Sequence, residues 1–334
     1  MQNAKPITII YTAKNERMNL AKFLSCNVKY SDIAKVIVVD DGSTDDTSKV
    51  AKSFSQYFEI SVIKNQKSMG HVYGWDQGAR AADTEFIWLI AADMEYVGLE
   101  HVLAHFRDQK TVQVLPKLVY MPAENLVQRM EEIYFMCALQ NPFIKEKISE
   151  RIYPYSHAVM RKSFYLEVNP PTNMGSGEEH RFARLASPII AQKDYKLVFE
   201  EKLLFRQKML DSCKSYLVQQ RFYGRGSPTT FLYNDFPRSY QRFIRFSLIC
   251  AVFFYLAGAS LFFYLSLILT VGRFVVGFLS LGNKSGLFPS ANKHVQLFYP
   301  LGFVWMLLGD IAYFYGMCES ILHKIFAGKW LATR

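Results

Sequence analysis

The stretch Val36–Thr47, VIVVDDGSTDDT, places four β-branched residues directly before two carboxylates, a glycine and a cluster of hydroxyls. Such a run without polar alternation is typical of a strand buried on both faces, as in parallel sheets covered by helices. Ligands of these sheets bind at the carboxyl ends of the strands. Gly42 permits a tight turn. Ser43 or Thr44 can then cap a helix predicted over Thr47–Phe58.

Two further apolar runs end in the same way, which argues against an ordinary strand-to-helix turn. Ile7–Tyr11 leads into the polar turn Thr12–Glu16 and then into a helical pattern. Phe86–Ile90 leads into AADME at Ala91–Glu95. Strand, polar turn, helix and strand indicate the start of an α/β sheet. The carboxylates that these strands would deliver to one edge of the sheet are Glu16, Asp41 and Asp93.

The same edge has the chemistry of a metal and phosphate site. Carboxylate oxygens such as those of Asp93 and Glu95 suit Mg²⁺ or Mn²⁺. An ion held by so few protein ligands would also bind the phosphates of a nucleotide substrate. A metal shared with a diphosphate is therefore the expected chemistry.

Together these segments resemble the inverting glycosyltransferases of family 2, which have the GT-A fold. The resemblance covers roughly residues 6 to 226. It rests on Thr12–Glu16, on Val38–Asp45 and on Gly70–Gly78. It implies a Rossmann-like α/β domain that binds a nucleotide-sugar donor. The residues that it implies for donor binding are Thr12, Asn15, Glu16, Asp40, Asp41, Lys67, Gly70 and Ala92.

The metal motif departs from the family pattern at one position. Asp93 corresponds to the last carboxylate of the family's Asp-x-Asp motif, but Ala91 stands where the first Asp is usual. The resemblance offers Glu95 as a replacement ligand, because the related polyprenyl-phosphate sugar synthases use the side chain two residues further on. A weakened or absent metal site is the alternative.

A second carboxylate cluster lies downstream, in NMGSGEEHRFA at Asn173–Ala183. Two glycines before a charged, helix-prone run place Glu178 and Glu179 at the start of a helix. Sugar transfer to a hydroxyl needs a base that takes the acceptor proton, and one carboxylate suffices. By resemblance, Glu179 matches the catalytic Asp of the family's Glu-Asp motif, with Glu178 beside it. Stabilisation of the helix dipole is the alternative role.

A basic element follows in VQQRFYGRG at Val218–Gly226. Arg221 and Arg225 are four residues apart, so on a helix they form one cationic face able to meet a leaving diphosphate. The element resembles the family's Gln-x-x-Arg-Trp motif in part. Val218 and Phe222 replace the Gln and the Trp that line the acceptor end in processive synthases, which implies transfer of one or few sugars. A basic helix beside anionic lipid headgroups is compatible with this role.

Composition changes beyond Tyr240. No charged residue occurs from Phe246 to Val271, and a second apolar run at Val295–Leu322 contains only Asp310 and Glu319 as acidic residues. About 20 apolar helical residues cross a hydrocarbon core of about 30 Å. We expect a catalytic domain over 1–240 and a membrane domain over 241–334, a transmembrane helical hairpin with spans at about 246–271 and 295–322. A third span is the alternative.

The expected location is a membrane, multi-pass, with the catalytic domain in the cytoplasm. No signal peptide precedes that domain, and a sugar nucleotide is a cytoplasmic substrate. The net charge of +10 fits a domain on an anionic leaflet. Nucleic acid is not an expected partner, because no binding module is found. Within the second span, Asp310 should face protein, water or a cation such as Arg273. A lipid-linked acceptor path is another reason for it.

The sequence thus predicts a membrane-anchored, inverting, hexosyltransferase-type enzyme. The expected acceptor is a hydroxyl of a lipid-linked or glycan molecule, as in cell-envelope polysaccharide or glycolipid synthesis. One alternative is a polyprenyl-phosphate sugar synthase, whose phosphate acceptor needs no base. The other is a catalytically inactive membrane scaffold, suggested by Ala91. Uridine and guanosine donors both stay open.

Overall fold

A computed structural model of the protein describes most of the chain, in two compact units. The described residues are 6–90, 94–138, 157–172, 178–231, 246–280, 295–328 and 331. The first unit comprises Met1–Val119, Lys147–Met174 and Glu178–Lys208. The second comprises Tyr120–Glu146, Gly175–Gly177 and Met209–Arg334.

The first unit is built on a mixed sheet of the described strands. These are β1 (Ile7–Ala13), β2 (Ala34–Asp40), β3 (Ile60–Lys64), β4 (Phe86–Ile90), β5 (Met94–Val97), β6 (Thr111–Tyr120), β7 (Val159–Arg161) and β8 (Lys196–Gln207). Their order is β3-β2-β1-β4-β7-β6-β8-β5. The pairs β3 with β2, β2 with β1 and β1 with β4 are parallel, whereas β4 with β7, β7 with β6 and β8 with β5 are antiparallel.

Helices of the first unit cover both faces of this sheet. Along the chain the described helices are α1 (Arg17–Asn27), α2 (Thr47–Ser53), α3 (His71–Ala81), α4 (Leu126–Ala138), α5 (Lys162–Val168), α6 (Glu178–Lys193), α7 (Cys213–Phe231), α8 (Ser247–Leu256), α9 (Ser260–Ser280) and α10 (Val295–Ala327). Val36 and Val38 join one buried cluster with α1, whereas Ile37 and Val39 join another with α3. The strand buried on both faces is therefore confirmed.

The end of β2 differs from the sequence prediction in one detail. Helix α2 begins at Thr47, after Asp46, and neither Ser43 nor Thr44 caps it. The cap prediction is wrong because these two residues bond to Asn15 instead. The helix also ends at Ser53, earlier than the predicted Phe58.

The second unit consists of α4, α7, α8, α9 and α10. Helix α7 packs closely along α10, where Tyr216 stacks on Trp305 with ring centroids 4.5 Å apart. Glycines allow this approach, because an added Cβ at Gly309 would lie 2.1 Å from the Tyr216 hydroxyl. At Gly316 it would lie 2.1 Å from the Arg221 carbonyl oxygen. This unit includes α4 and α7, which the sequence analysis placed within the catalytic domain.

The predicted span over 246–271 is wrong as a single helix. Helix α8 ends at Leu256, and the chain turns at Gly258, whose φ is 69°. Helix α9 then runs back along α8, and the hydroxyls of Ser247 and Thr270 lie 2.8 Å apart. Glycine allows the left-handed backbone that the turn requires. The sequence did not predict this turn because the residues on both sides of it are uniformly apolar.

The second predicted span does form one helix, α10. Among the described residues, Leu297–Ala327 is the one helix long and apolar enough to cross a membrane. A hairpin of two membrane spans is therefore not confirmed. Asp310 in α10 is only 2% exposed and forms an ion pair with Arg273 of α9, so the predicted partner of Asp310 is confirmed.

Candidate active site

The turns after β1 and β2 are tied together at the carboxyl edge of the sheet. Asn15 has a φ of 57°, a conformation that asparagine tolerates better than most residues. Its side-chain Oδ1 accepts a hydrogen bond from the Thr44 backbone amide at 2.8 Å. Its backbone amide donates to Ser43 Oγ at 2.9 Å. The Glu16 amide donates to Thr47 Oγ1 at 3.1 Å. Asn15 and Glu16 thus lie beside the turn that contains Asp41.

Asp40 closes the turn after β2. Its carboxylate is fully buried and accepts hydrogen bonds from the Ser43 amide, at 2.7 Å, and from the Ser48 hydroxyl. Burial alone would raise the pKa of Asp40, but these hydrogen bonds and Lys64 hold it below its usual value. All these contacts are with the protein, so the structure gives Asp40 a clear role in shaping the edge.

Asp41 organises the next loop along the edge. Its two carboxylate oxygens accept hydrogen bonds from the Asn65 side chain at 3.1 Å and from Ser68 Oγ at 2.7 Å. They also accept from the backbone amides of Met69 at 2.7 Å and Gly70 at 2.9 Å. The side chain therefore fixes the loop that leads into α3. The sequence analysis did not identify Asn65 or Ser68, which follow β3 without a motif of their own.

Asp41 should make the first unit sensitive to acid. Burial alone would raise its pKa, but the hydrogen bonds from Met69, Ser68, Asn65 and Gly70 outweigh it and hold the pKa below its usual value. A lowered pKa stabilises the fold above the unfolded value of about 3.9, and this contribution is lost as pH falls through the folded pKa.

We therefore expect Asp41→Asn to lower the free energy of unfolding at pH 7 by about 1–3 kcal/mol, because the amide cannot accept every bond. Urea titrations between pH 7 and pH 3 should also show that, below about pH 4, the free energy of unfolding of the variant depends less steeply on pH than that of the unaltered protein. Asp46→Asn is the matched control, since the exposed Asp46 side chain forms a surface ion pair with Lys49. Equal stability of the two variants would contradict the role of Asp41.

Helix α3 is fixed against the ends of β1 and β4. The Trp75 indole donates to the Ile90 carbonyl at 3.0 Å, immediately before Ala91. An added Cβ at Gly74 would lie 2.5 Å from Thr12 Cγ2, so α3 lies directly on Thr12. The Thr12 hydroxyl is buried and has no hydrogen-bond partner within the described chain. Lys67 is exposed in the loop before α3.

The amino termini of α3 and α6 lie side by side. His71 Nε2 and Glu178 Oε1 are 3.5 Å apart. Glu178 and Glu179 are the first two residues of α6, where carboxylates are stabilised by the helix dipole, and both are half-buried. The structure thus places Glu178 next to the loop that Asp41 organises. His71 was not identified from the sequence, because only the fold brings it near Glu178.

The metal-binding residues are described in part. Asp93 and Ala92 lie outside the described residues. Glu95 lies on β5 and its Oε1 is 2.6 Å from Lys22 Nζ of α1, so as a metal ligand it would have to leave this ion pair. The described chain contains no group of three or more His, Cys, Asp or Glu able to hold an ion. The described residues alone therefore do not form a metal site.

The predicted cationic face is present on α7 in the second unit. Arg221 Nε and Nη2 lie 3.0 and 2.9 Å from the two carboxylate oxygens of Glu319. Arg225 contacts the same oxygens at 2.9 and 2.8 Å. The Arg221 guanidinium also lies over the Tyr315 ring, 4.9 Å from its centroid. Both arginines therefore bind a carboxylate of α10, a contact that the sequence analysis missed because it treated Glu319 only as an interruption of an apolar run.

A polar cavity of about 500 Å³ opens beside α3 and α6. Arg80 in its wall donates to Asp76 at 2.8 Å and to Asn169 at 2.8 Å. Tyr165 donates to the other oxygen of Asp76 at 3.4 Å. This network fixes the position of Asn169 just before Pro170–Thr172, which also line the cavity.

The sheet order and the carboxylate-bearing turns agree with a family match. Residues 8–168 match the model of Glycosyl transferase family 2. Residues 8–168, just under half of the chain, therefore resemble family 2 glycosyltransferases, and the fold is that of GT-A.

Among known relatives, the chain is similar to 4,4'-diaponeurosporenoate glycosyltransferase of Staphylococcus aureus. The two are 31% identical over 96 residues, which is 28% of this chain. The chain spans about a quarter, 26%, of the length of that relative. The similarity is thus limited to part of each protein.

Solved structures show the same fold over nearly the whole chain. One is the mannosyltransferase PcManGT from Pyrobaculum calidifontis in complex with GDP-Man and Mn²⁺, with a TM-score of 0.54 and 12% identity, covering 93% of this chain and 87% of the other. Another is residues 1–349 of TarS from S. aureus in complex with UDP-GlcNAc, with a TM-score of 0.51 and 12% identity, covering 97% and 92%.

Proposed function

We propose that this protein is a membrane-associated inverting glycosyltransferase. It transfers one or few sugars from a nucleotide-sugar donor to a hydroxyl of a lipid-linked or glycan acceptor, in cell-envelope polysaccharide or glycolipid synthesis. The observation that carries the proposal is the edge of the family 2 domain. There the turns containing Asn15, Glu16 and Asp41 are joined by hydrogen bonds, and Glu178 lies beside the loop that Asp41 fixes.

The placement of polar groups at this edge supports donor binding there. Asp41 and Glu16 lie at the carboxyl ends of parallel strands, which is where nucleotides bind in open α/β sheets. Thr12 would reach the donor only after a shift of α3, because its hydroxyl is buried against Gly74. Mg²⁺ or Mn²⁺ would be held by Asp93 and would neutralise charge on the diphosphate. Glu95 would bind the same ion only after its ion pair with Lys22 has broken.

Glu179 is proposed as the base. The acceptor oxygen attacks the anomeric carbon as the bond to the nucleoside diphosphate breaks on the opposite face, and the hydroxyl proton passes to the Glu179 carboxylate. The diphosphate leaves with the bonding electrons, and the configuration at the anomeric carbon inverts. Arg221 and Arg225 are proposed to stabilise the leaving diphosphate. In that case they would exchange contacts with Glu319 for contacts with phosphate oxygens.

Membrane association is supported by the second unit. Its helix α10 contains an apolar segment of 31 residues, Leu297–Ala327. Helices α8 and α9 also expose large apolar side chains, including Phe253, Leu256 and Leu261. Exposed apolar surface of this extent is typical of a protein that binds a membrane. An acceptor held in or near the bilayer follows from this location.

Donor binding should depend on Asp93. We expect one class among UDP-, GDP- and dTDP-sugars to raise the melting temperature of the purified protein in the presence of Mn²⁺ or Mg²⁺. At a donor concentration of 100 times its Kd, binding adds about 2.7 kcal/mol to the free energy of unfolding. The shift should be lost with a chelator and in Asp93→Ala. Asp83→Ala is the matched control, because Asp83 contacts Lys35 at the surface. Absence of a shift with every donor would favour the inactive scaffold.

A further inference from the structure

The apolar helices α8 and α9 form a closed hairpin. The chain reverses at Gly258, and twelve residues further along α9 the Thr270 hydroxyl contacts that of Ser247, at the beginning of α8. Arg273, one turn beyond Thr270, is paired with Asp310 of α10. These polar contacts lie at the base of the hairpin, whereas the residues around the turn, 253–261, are mostly apolar.

Large apolar side chains are exposed near the free end of the hairpin. Leu256 is 79% exposed and Leu261 is 68% exposed, and an added Cβ at Gly258 would meet nothing within 4 Å. Along α9, neighbouring residues that point in different directions are exposed together, among them Leu267, Ile268 and Leu269. A protein partner covers one face of such a structure, whereas lipid surrounds it. A helix that is apolar all round is typical of a membrane environment.

The length of the hairpin fits half a bilayer. Helix α8 has 10 residues and is about 15 Å long, and residues 260–270 of α9, which run back along it to the contact of Thr270 with Ser247, are about as long. The hydrocarbon core is about 30 Å thick, and the hairpin would thus reach about its middle. The Gly258 turn would lie at the deepest point, while Arg273 at the base would lie near the headgroups.

Helix α10 is long enough to cross the bilayer, but α7 lies along it. The middle of Leu297–Ala327 is residue 312, so in a crossing orientation Trp305 would lie about 10 Å from the bilayer centre, inside the hydrocarbon. Tyr216 of α7 stacks on Trp305, and the exposed Lys214 is two residues before it. Crossing would therefore carry Lys214 into lipid, where a charged side chain is costly.

A surface orientation has no such conflict. The face of α10 away from α7 carries exposed apolar residues every three or four positions, over a length of about 45 Å. Among them are Leu297, Leu301, Val304, Leu308, Ile311 and Leu322. Such a stripe can contact lipid along the length of α10 while another side of the helix packs against α7.

We propose that the second unit is a monotopic anchor. The hairpin of α8 and α9 enters one leaflet with Gly258 deepest, α10 lies along the surface of that leaflet, and none of the described helices crosses the bilayer. The partner surface is an anionic leaflet, in keeping with the net charge of +10. The proposal specifies the membrane association of the proposed function and rests on it.

The ends of α10 distinguish the surface orientation from the crossing one. Single cysteines at Leu297 and Phe326, both exposed, are introduced into the full chain after its own five cysteines are replaced by alanine. Sealed membrane vesicles of both orientations are then treated with a membrane-impermeant maleimide. Labelling should be slow, because Leu297 lies on the face of α10 that contacts lipid, and for both sites it should come from the same side. Labelling from opposite sides would show that α10 crosses and would overturn the proposal.

The hairpin is tested by charge at its free end. In co-sedimentation with vesicles containing anionic phosphatidylglycerol, Leu256→Asp and Leu261→Asp should each weaken partitioning on the order of 100-fold. Tyr57→Asp, on an exposed apolar residue of the first unit, should leave it unchanged. Unchanged partitioning of the hairpin variants would contradict insertion. Self-association lost in these variants, without vesicle binding by the unaltered protein, would show a second copy to be the partner instead.

Failure of this proposal is distinguishable from failure of the proposed function. Donor binding, measured by the thermal shift on the same variants, depends on the first unit and should be retained in Leu256→Asp. Retained donor binding with two-sided labelling would reject the monotopic anchor alone. If the unaltered protein binds no donor, the glycosyltransferase proposal is rejected, whatever the labelling shows.

Discussion

Glu179→Gln should lower turnover by about 10²–10⁴-fold, the usual contribution of a general base, and leave donor affinity unchanged. Glutamine has nearly the same shape as glutamate but cannot accept the proton of the attacking hydroxyl. Because Glu179 lies in the first turn of α6, the substitution also removes a favourable interaction with the helix dipole, which is worth about 0.3–1 kcal/mol. That loss is too small to unfold the unit.

The neighbouring carboxylate provides the matched control. Glu178→Gln has the same change in charge and lies in the same first turn of α6, but Glu178 contacts His71 instead of serving as the proposed base. Its effect on turnover should be much smaller, and both variants should show the donor-induced thermal shift. Equal losses in the two variants would mean that the effect is electrostatic. Unimpaired turnover in Glu179→Gln would favour a phosphate acceptor, which needs no base.

The sheet could be predicted because its signals are local. The run at Val36–Val39 alternates between two buried clusters, and Phe86–Ile90 is a strand with the predicted bounds. Each residue of such a run is buried for the same reason, the apolar character of its own side chain. The carboxyl-end turns follow directly, since parallel strands end at the same edge, where the Asp41 amide donates to the Ala13 carbonyl at 2.8 Å.

The partners of the charged residues could not be predicted in the same way. Asp41 bonds to groups 24 to 29 residues away, and Arg221 bonds to Glu319, which is 98 residues away. Nothing in the local sequence specifies such pairs. The hairpin was missed for a different reason. Hydropathy reports that Phe246–Val271 is apolar, but it does not report that the chain reverses at Gly258.

Gly224→Ala should destabilise the second unit by about 3 kcal/mol or more. An added Cβ at Gly224 in α7 would lie 1.9 Å from the Tyr313 carbonyl oxygen of α10, and a backbone atom cannot move aside as a flexible side chain can. The helices would have to separate, which would disturb the Tyr216 and Trp305 stack between them. Overpacking of this kind costs about 1–3 kcal/mol even where side chains can rearrange. Urea unfolding in detergent, followed by tryptophan fluorescence, measures the loss.

Gly272→Ala is the control, because it makes the same chemical change in the middle of α9. An added Cβ there meets nothing within 4 Å, and alanine favours a helix over glycine by about 1 kcal/mol, so stability should be equal or higher. Opposite signs for the two variants would follow only if α7 lies directly on α10. Equal and small effects of the two substitutions would mean that α7 and α10 are apart in solution. The argument that α7 keeps α10 from crossing the bilayer would then also fail.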